Sequence, residues 1–265
     1  MKRRGYKWLP RSQKRRYSAA QKKARVQFAR KVLRLGAARL WEKISFSLDG
    51  VVLSMPPDGA IDRFNYCWGG DSHMWRKPGE ANLPSLAGAW EYMNQVPLCR
   101  AIPLWGGLCG GGFAPVLWHP RHKTNQDEWS QAVREGKLTG AIRSVSPANR
   151  TGPYIVLCDG EQFLRAKKSM LAYRRRNVTL FTCPPKSPDL NPVEMFWGWL
   201  RKSLRRMDLL DLRKKRKPLS KPAYISRVKN VIRSAKAQSV AKAYAGRLRS
   251  ACRQVLARGG AAADN

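Results

Sequence analysis

The sequence predicts an α/β domain with basic helical extensions at both ends. The run PYIVLCDG (153–160) is short and continuously apolar, as a strand buried on both faces must be, and VTLFT (178–182) repeats the pattern. Residues 164–176 between them read as helix. That strand–helix–strand order points to a parallel pair joined by a right-handed crossover. Outside this unit the chain begins and ends in segments rich in Lys and Arg, with apolar residues at helical spacing. A chain of 265 residues can bury a substantial core. With 43% hydrophobic and 26% charged residues it has the composition of a globular protein, not a disordered one.

Residues 1–20 form a basic, poorly patterned arm. In 18–35, SAAQKKARVQFARKVLRL places Ala24, Phe28, Val32 and Leu35 on one side of an amphipathic basic helix. KISFSLDGVVLSM (43–55) alternates Ile44, Phe46 and Leu48 with Ser45, Ser47 and Asp49, as a strand does. Residues 60–118 read as short strands broken by Gly and Pro, with AIPLWGG and GGFAPVLWH forming a hairpin around the Gly106–Gly112 cluster. That cluster lacks the GK[ST] ending of a phosphate loop. DEWSQAVREG (127–136) reads as helix. In FTCPPKSPDLNPVEMFWGWLRKSL (181–204), Asn191 stands at an N-cap, Pro192 at the first helical position and Glu194 where a capping-box acid reaches back. Val193, Phe196, Trp197, Leu200 and Leu204 then recur at helical spacing. A basic run, DLRKKRKP (211–218), precedes two helical segments that end near residue 257. The expected divisions are a basic arm and linker helix over 1–40, the α/β domain over 41–210 and a basic helical extension over 211–265.

Fifty-two basic residues against 17 acidic ones give a net charge of +35. Such a field attracts polyanions, and nucleic acid is the partner it suggests. No apolar stretch is long enough for a membrane span, so no membrane partner is expected. The N-terminal segment lacks the apolar core of a secretory signal; a transit peptide stays as a minor alternative. Six cysteines form no CxxC pair, and Cys158 and Cys183 lie in apolar runs as buried thiols, which fits a reducing cytosol or nucleus. His119 and His122 read as loop residues, without a metal. Trp105, Trp118 and Trp197 sit in apolar patterns and read as core, not as base-stacking platforms.

In so basic a chain the placement of the acids is informative. Asp49 lies in an apolar strand, and Asp159 ends another, at the carboxyl edge where open α/β sheets place their sites. Glu194 opens a helix after a proline-rich turn. Each also has an ordinary reading, since Asp49–Gly50 and Asp159–Gly160 are turn dipeptides and Glu194 is a cap.

SPDLNPVEMFWGWLRKSL resembles the third catalytic block of Tc/mariner-type DDE transposases. PYIVLCDGEQFLRAKKS is similar to the family's strand ending in the second Asp, and KISFSLDG to the strand carrying the first. MWRKPGE (74–80) and PLWGGLCGGGF (103–113) resemble the strands between them, and the similarity runs in order over roughly residues 20–260. The resemblance implies an RNase H-like mixed sheet flanked by helices over 41–210. It implies Asp49, Asp159 and Glu194 as catalytic residues and as ligands of two Mg²⁺ or Mn²⁺ ions. Hard divalent cations prefer carboxylate oxygens, and a pair of ions can activate water or a 3′-hydroxyl while stabilising the leaving oxygen. Asp189 is the rival third ligand; the family spacing favours Glu194 and leaves Asp189 to shape the turn. The implied activity is metal-dependent DNA cleavage and strand transfer in transposition and integration. The implied partners are transposon ends and target DNA, with a homodimer in a synaptic complex and a nuclear location.

The resemblance has departures. Gly50 follows the first Asp where the family has Glu. Gly160, Glu161 and Gln162 follow the second, with no His. Residues 1–40 have room for only part of a linker, so the N-terminal helix-turn-helix modules of the family are expected to be lacking. For the DNA track, Arg174, Arg175, Arg176, Lys186, Arg201, Lys202, Arg205 and Arg206 flank the proposed acids. The run Arg213, Lys214, Lys215, Arg216 and Lys217 reads as a phosphate-contacting loop, a nuclear localisation signal or a solvated charged loop. Two other readings use the same residues: a catalytically decayed or domesticated transposase-derived protein that only binds nucleic acid, and a nuclease that cuts without joining.

Overall fold

A computed structural model of the chain describes residues 5, 7–10, 17–36, 40–59, 61, 63, 73–76, 98–118, 124–146 and 151–263. Most of the N-terminal arm, residues 77–80, His119, His122 and Cys67 lie outside the described residues. The strands are β1 (Lys7–Pro10), β2 (Phe46–Ser54), β3 (His73–Arg76), β4 (Ala101–Cys109), β5 (Gly112–Trp118), β6 (Tyr154–Cys158) and β7 (Val178–Thr182). The helices are α1 (Ala19–Arg34), α2 (Leu40–Lys43), α3 (Gln126–Arg134), α4 (Lys137–Val145), α5 (Lys167–Arg175), α6 (Pro192–Arg213), α7 (Lys221–Arg233) and α8 (Ala235–Ala257).

The main sheet is mixed, in the order β5-β4-β2-β6-β7, while β1 and β3 form a separate antiparallel pair. β2 sits at its centre, antiparallel to β4 and parallel to β6, and β6 is parallel to β7 as the strand–helix–strand order predicted. Because β2 is paired on both sides and covered on both faces, its polar side chains are buried too. Ser45, Ser47 and Asp49 are all buried, so the alternation along 44–49 separates two packed faces and not core from solvent. β7 is the edge strand, and most of it is partly exposed, whereas its apolar run reads as a fully buried strand.

Helices cover both faces. On one side Trp129 and Val133 of α3, Leu138 and Ile142 of α4, and Ala172 and Tyr173 of α5 pack on Phe46, Leu48 and Val156. Trp129 donates its indole N–H to the Tyr173 hydroxyl at 2.6 Å, which satisfies a polar group at the centre of that layer. On the other side Phe196, Trp197 and Leu200 of α6, with Val228 of α7 and Ala241 of α8, pack on Leu53, Leu104 and Phe113. Phe113 and Phe196 stack at 4.3 Å. α1 lies against α8 and buries Phe28, Ala29 and Val32 with Leu248 and Cys252.

Local chemistry accounts for the helix starts. Ser18 and Gln21 form a capping box on α1, and Asn125 and Glu128 form another on α3. The helix α4 was not anticipated: its start is a left-handed Gly136 rather than a capping side chain, so the segment carries no polar N-terminal signal. The hairpin turns at Gly110–Gly111, outside β4, while Gly106 and Gly107 lie within the strand. Gly107 is required there by close approach, because a Cβ would stand 2.3 Å from the Ser47 carbonyl oxygen and 2.4 Å from the Phe46 ring.

Candidate active site

The three predicted acids come from three elements, β2, the end of β6 and the start of α6. Asp49 projects from the middle of β2, opposite Gly106 of β4. Asp159 follows the last residue of β6. Glu194 lies in the first turn of α6, which Pro192 opens at an early helical position. Asp159 and Glu194 line one cleft of about 200 Å³, with Lys186 and the proline-rich loop 183–188 as its wall.

The carboxylates sense one another. Burial raises the Asp49 carboxyl well above its ordinary range, and the negative charges of Glu194 and Asp159 raise it further. Burial also raises Asp159, opposed by the Glu161 backbone N–H and the Arg165 guanidinium. The Cys158 thiol, desolvated and next to the same acids, is pushed up to about 12 and is inert as a nucleophile. Concentrated negative charge at the carboxyl edge of a parallel strand pair, in a chain of net charge +35, is the electrostatic signature of the site.

Glu161 adds a further acid that the sequence reading noted only as a departure. Burial and Asp159 together lift its carboxyl to about 7, and it lines a neighbouring cleft with Gly50 and Trp105. Its position two residues beyond Asp159 was the available signal. Gly50 has a steric explanation of its own: a Cβ there would stand 2.6 Å from the Trp105 ring. The indole covers the backbone where the family carries a Glu side chain, and its N–H is held by Thr124 at 2.8 Å.

Two polar networks fix the turn that carries Glu194. Asn191 occupies the cap position but makes no side-chain cap bond, so no capping box forms. Its side-chain oxygen accepts from the Ser47 hydroxyl at 2.5 Å and its amide donates to the Leu48 carbonyl at 3.4 Å. Both partners adjoin Asp49, so one buried side chain ties the third acid's helix to the first acid's strand. Asp189 is engaged elsewhere. Arg25 of α1, fully buried, donates to both Asp189 carboxylate oxygens at 2.9 and 2.5 Å, and the Ala263 N–H donates to the same carboxylate at 2.8 Å. Arg25 also donates to the Gly260 carbonyl at 2.9 Å. Asp189 thus clamps the turn to α1 and to the C-terminal tail, a role consistent with shaping the turn and not with holding an ion.

The predicted cations are spread more widely. Lys186, at a positive φ of 57°, is the one that lines the cleft holding Asp159 and Glu194. Arg201 and Arg205 lie seven and eleven residues beyond Glu194 and share its face of α6, about 10 and 17 Å along the axis. Lys202 and Arg206 are exposed beside them. Arg174, Arg175 and Arg176 are exposed at the end of α5, with Arg176 donating back to the Arg134 carbonyl. Arg213, Lys214, Lys215 and Lys217 are exposed where α6 ends, while Arg216 pairs with Asp211 at 3.0 Å.

Residues 128–214 match the family model of the DDE superfamily endonuclease, a segment that holds Asp159 and Glu194 and begins after Asp49. Over that segment, about a third of its length, the chain is similar to the DDE superfamily endonucleases. Its fold is that of the Mos1 transposase catalytic domain: the structure of that domain with raltegravir and manganese aligns with a TM-score of 0.63 at 12% identity, covering 94% of this chain and all of that one. The Mos1 mariner catalytic domain by itself gives 0.61 at 13% identity, over 97% of this chain and all of that one. The Mos1 paired-end complex with the left transposon end gives 0.62 at 14% identity, and there this chain covers 65% of the transposase. No curated protein matches the chain by sequence. The mixed sheet and its two helical layers are therefore the RNase H-like arrangement implied by the three motif blocks. No helix among the described residues is long and apolar enough to cross a membrane.

Proposed function

We propose that the chain is a DDE-type catalytic domain that cleaves DNA strands and transfers their ends, with Asp49, Asp159 and Glu194 as its catalytic carboxylates. The observation that carries this reading is their electrostatic convergence: Glu194 and Asp159 are the largest charge influences on a buried Asp49. The donor set is all carboxylate, which suits Mg²⁺ or Mn²⁺, and repulsion between a buried Asp49 and its neighbouring acids is what a bound cation relieves. As placed, no three His, Cys, Asp or Glu residues among the described ones already surround a single point. Bound at these acids, a pair of divalent ions would supply activation of a water or 3′-hydroxyl and stabilisation of the leaving oxygen. The chain's own residues prepare the site. Asn191 and Ser47 hold the Glu194 turn against β2, and burial shields Asp49 from bulk water while Asp159 and Glu194 stay half-buried at the cleft. Glu194 stands in the first turn of α6, beside the positive end of the helix. Lys186 at the cleft wall, with Arg201 and Arg205 along the Glu194 face, offers partners for the phosphates on either side of the cut.

The Mos1 structures with transposon ends support transposon-end and target DNA as partners, and two ends brought together call for a second copy of the chain. Acting on DNA, the protein belongs in the nucleus, and the exposed Arg213–Lys217 run offers a basic localisation signal.

Nicking of supercoiled plasmid in Mn²⁺ tests the catalytic assignment. Wild type is expected to nick, and Asp49→Asn, Asp159→Asn and Glu194→Gln are not. Equal, negligible nicking by all of them, with salt-sensitive DNA binding intact, would leave a binding protein on a transposase fold. Nicking without any joining of a donor end would reduce the activity to that of a nuclease.

A further inference from the structure

The turn between β7 and α6 has two working faces, one residue out of phase. Pro188, Asn191 and Glu194 face the cleft that also holds Asp159. Asp189, Pro192 and Met195 face a second cleft, of about 320 Å³, whose opposite wall is α8. That wall presents Tyr244, Arg247, Ser250 and Gln254. Tyr244 and Arg247 are one turn apart, and the guanidinium lies over the ring at 5.6 Å from its centre. Arg247 is exposed and has no ion pair among the described residues. The acid in this cleft, Asp189, is neutralised by Arg25. Residues 212–263 contain no Asp or Glu at all, so nothing on α8 offsets its positive charge.

A flat aromatic ring, an adjacent guanidinium without an ion-pair partner among the described residues, polar groups along the same wall and a volume at the lower end of small-ligand sites are what one nucleotide requires. The turn of residues 188–195 lines both this cleft and the one that holds Glu194. We propose that the α6–α8 cleft is a nucleotide subsite that takes one unpaired nucleotide of the strand leaving the Glu194 cleft, with Tyr244 against the base and Arg247 on the phosphate. The proposal rests on DNA being the substrate and extends it by placing a single-stranded segment beside the cut. Stacking on a ring tolerates any base, so the subsite adds affinity for unpaired DNA without sequence preference.

The test is fluorescence anisotropy of the full chain in EDTA with two duplexes of equal length, one blunt and one ending in a short single-stranded overhang. Wild type is expected to prefer the overhang. Tyr244→Ala should reduce that preference by about tenfold, the scale of one stacked base, while Tyr244→Phe retains it. Arg247→Ala should lower the salt slope for overhang DNA by about 0.7, one single-strand phosphate contact, and leave the blunt duplex unchanged. Lys242→Ala, exposed on α8 outside the cleft, should leave the preference intact. Should Tyr244→Ala fail to fold, the exposed Arg247→Ala carries the test alone. The subsite is overturned if wild type shows no overhang preference, if the cleft variants keep it, or if all variants weaken both duplexes alike. Wild type that binds neither duplex would sink the DNA reading itself.

Discussion

Replacing Arg25 with alanine strands Asp189 as a charge in the interior. The Arg25 side chain is fully buried and the Asp189 side chain is 4% exposed, so water cannot take over the lost partner. The variant removes the two-pronged contact at 2.9 and 2.5 Å and the bond to the Gly260 carbonyl, leaving only the Ala263 N–H on the carboxylate. Breaking a buried pair from one side costs about 3–5 kcal/mol, much of it the unpaired charge. Against a typical total of about 5–15 kcal/mol, that is a large fraction of the fold's stability. At about 2–4 °C per kcal/mol for a domain near this size, the melting temperature should fall by about 6–20 °C. Lysine should not rescue it, because a single ammonium cannot make the planar fork. The assay is thermal and urea unfolding of Arg25→Ala, Asp189→Ala and the double variant. Removing both partners should cost markedly less than the two single losses combined, because the stranded charge disappears. A loss below about 1 kcal/mol for Arg25→Ala, or additive single effects, would refute the clamp. The same variants should lose part of their stabilisation by Mn²⁺, since the clamp holds the turn that positions Glu194.

Asn191→Ala should cost about 1–3 kcal/mol in urea unfolding by leaving the buried Ser47 hydroxyl without its acceptor, and Ser47→Ala on top of it should cost little more. Gly107→Ala should lower stability by at least about 2 kcal/mol or yield insoluble protein, because its Cβ meets the Ser47 carbonyl oxygen at 2.3 Å; wild-type stability would contradict the close strand approach. Glu161, lifted from an ordinary carboxyl to about 7, binds a proton more tightly in the folded than in the unfolded chain. Its contribution is therefore fully present at pH 4 and lost as pH rises from about 4.5 to about 7. In EDTA, Glu161→Gln should match wild type at pH 4.5 and exceed it at pH 8 by about 1–2 kcal/mol after allowance for solvent screening. Parallel pH profiles for the two proteins would remove Glu161 from the acid cluster.

The strand of the first acid, the strand before the second and the helix of the third are legible in the sequence because their signals are local. Pro192 at the start of α6 and the spacing of Phe196, Trp197, Leu200 and Leu204 specify a helix with one buried face whatever lies opposite. The acids stood out because 17 acidic residues among 52 basic ones leave few to consider, and three of them sit at element ends or within an apolar strand. The strand–helix–strand rule likewise set the parallel pairing of β6 with β7 before any partner was known.

What only the tertiary structure decided concerns partners far apart in the chain. Arg25 lies in a helix crowded with solvent-facing cations, and periodicity cannot tell the one that turns inward, because the carboxylate that receives it is 164 residues away. Asn191 reads as a cap from its neighbours but spends its hydrogen bonds on β2, and Ser47 reads as a solvent position on a strand that proves central. Whether an apolar run such as VTLFT is core or edge depends on what pairs with its far side, which no local pattern records. Local propensity and spacing specify elements; burial and the satisfaction of polar groups are properties of the whole packing, and they decided where these residues sit and what they bond.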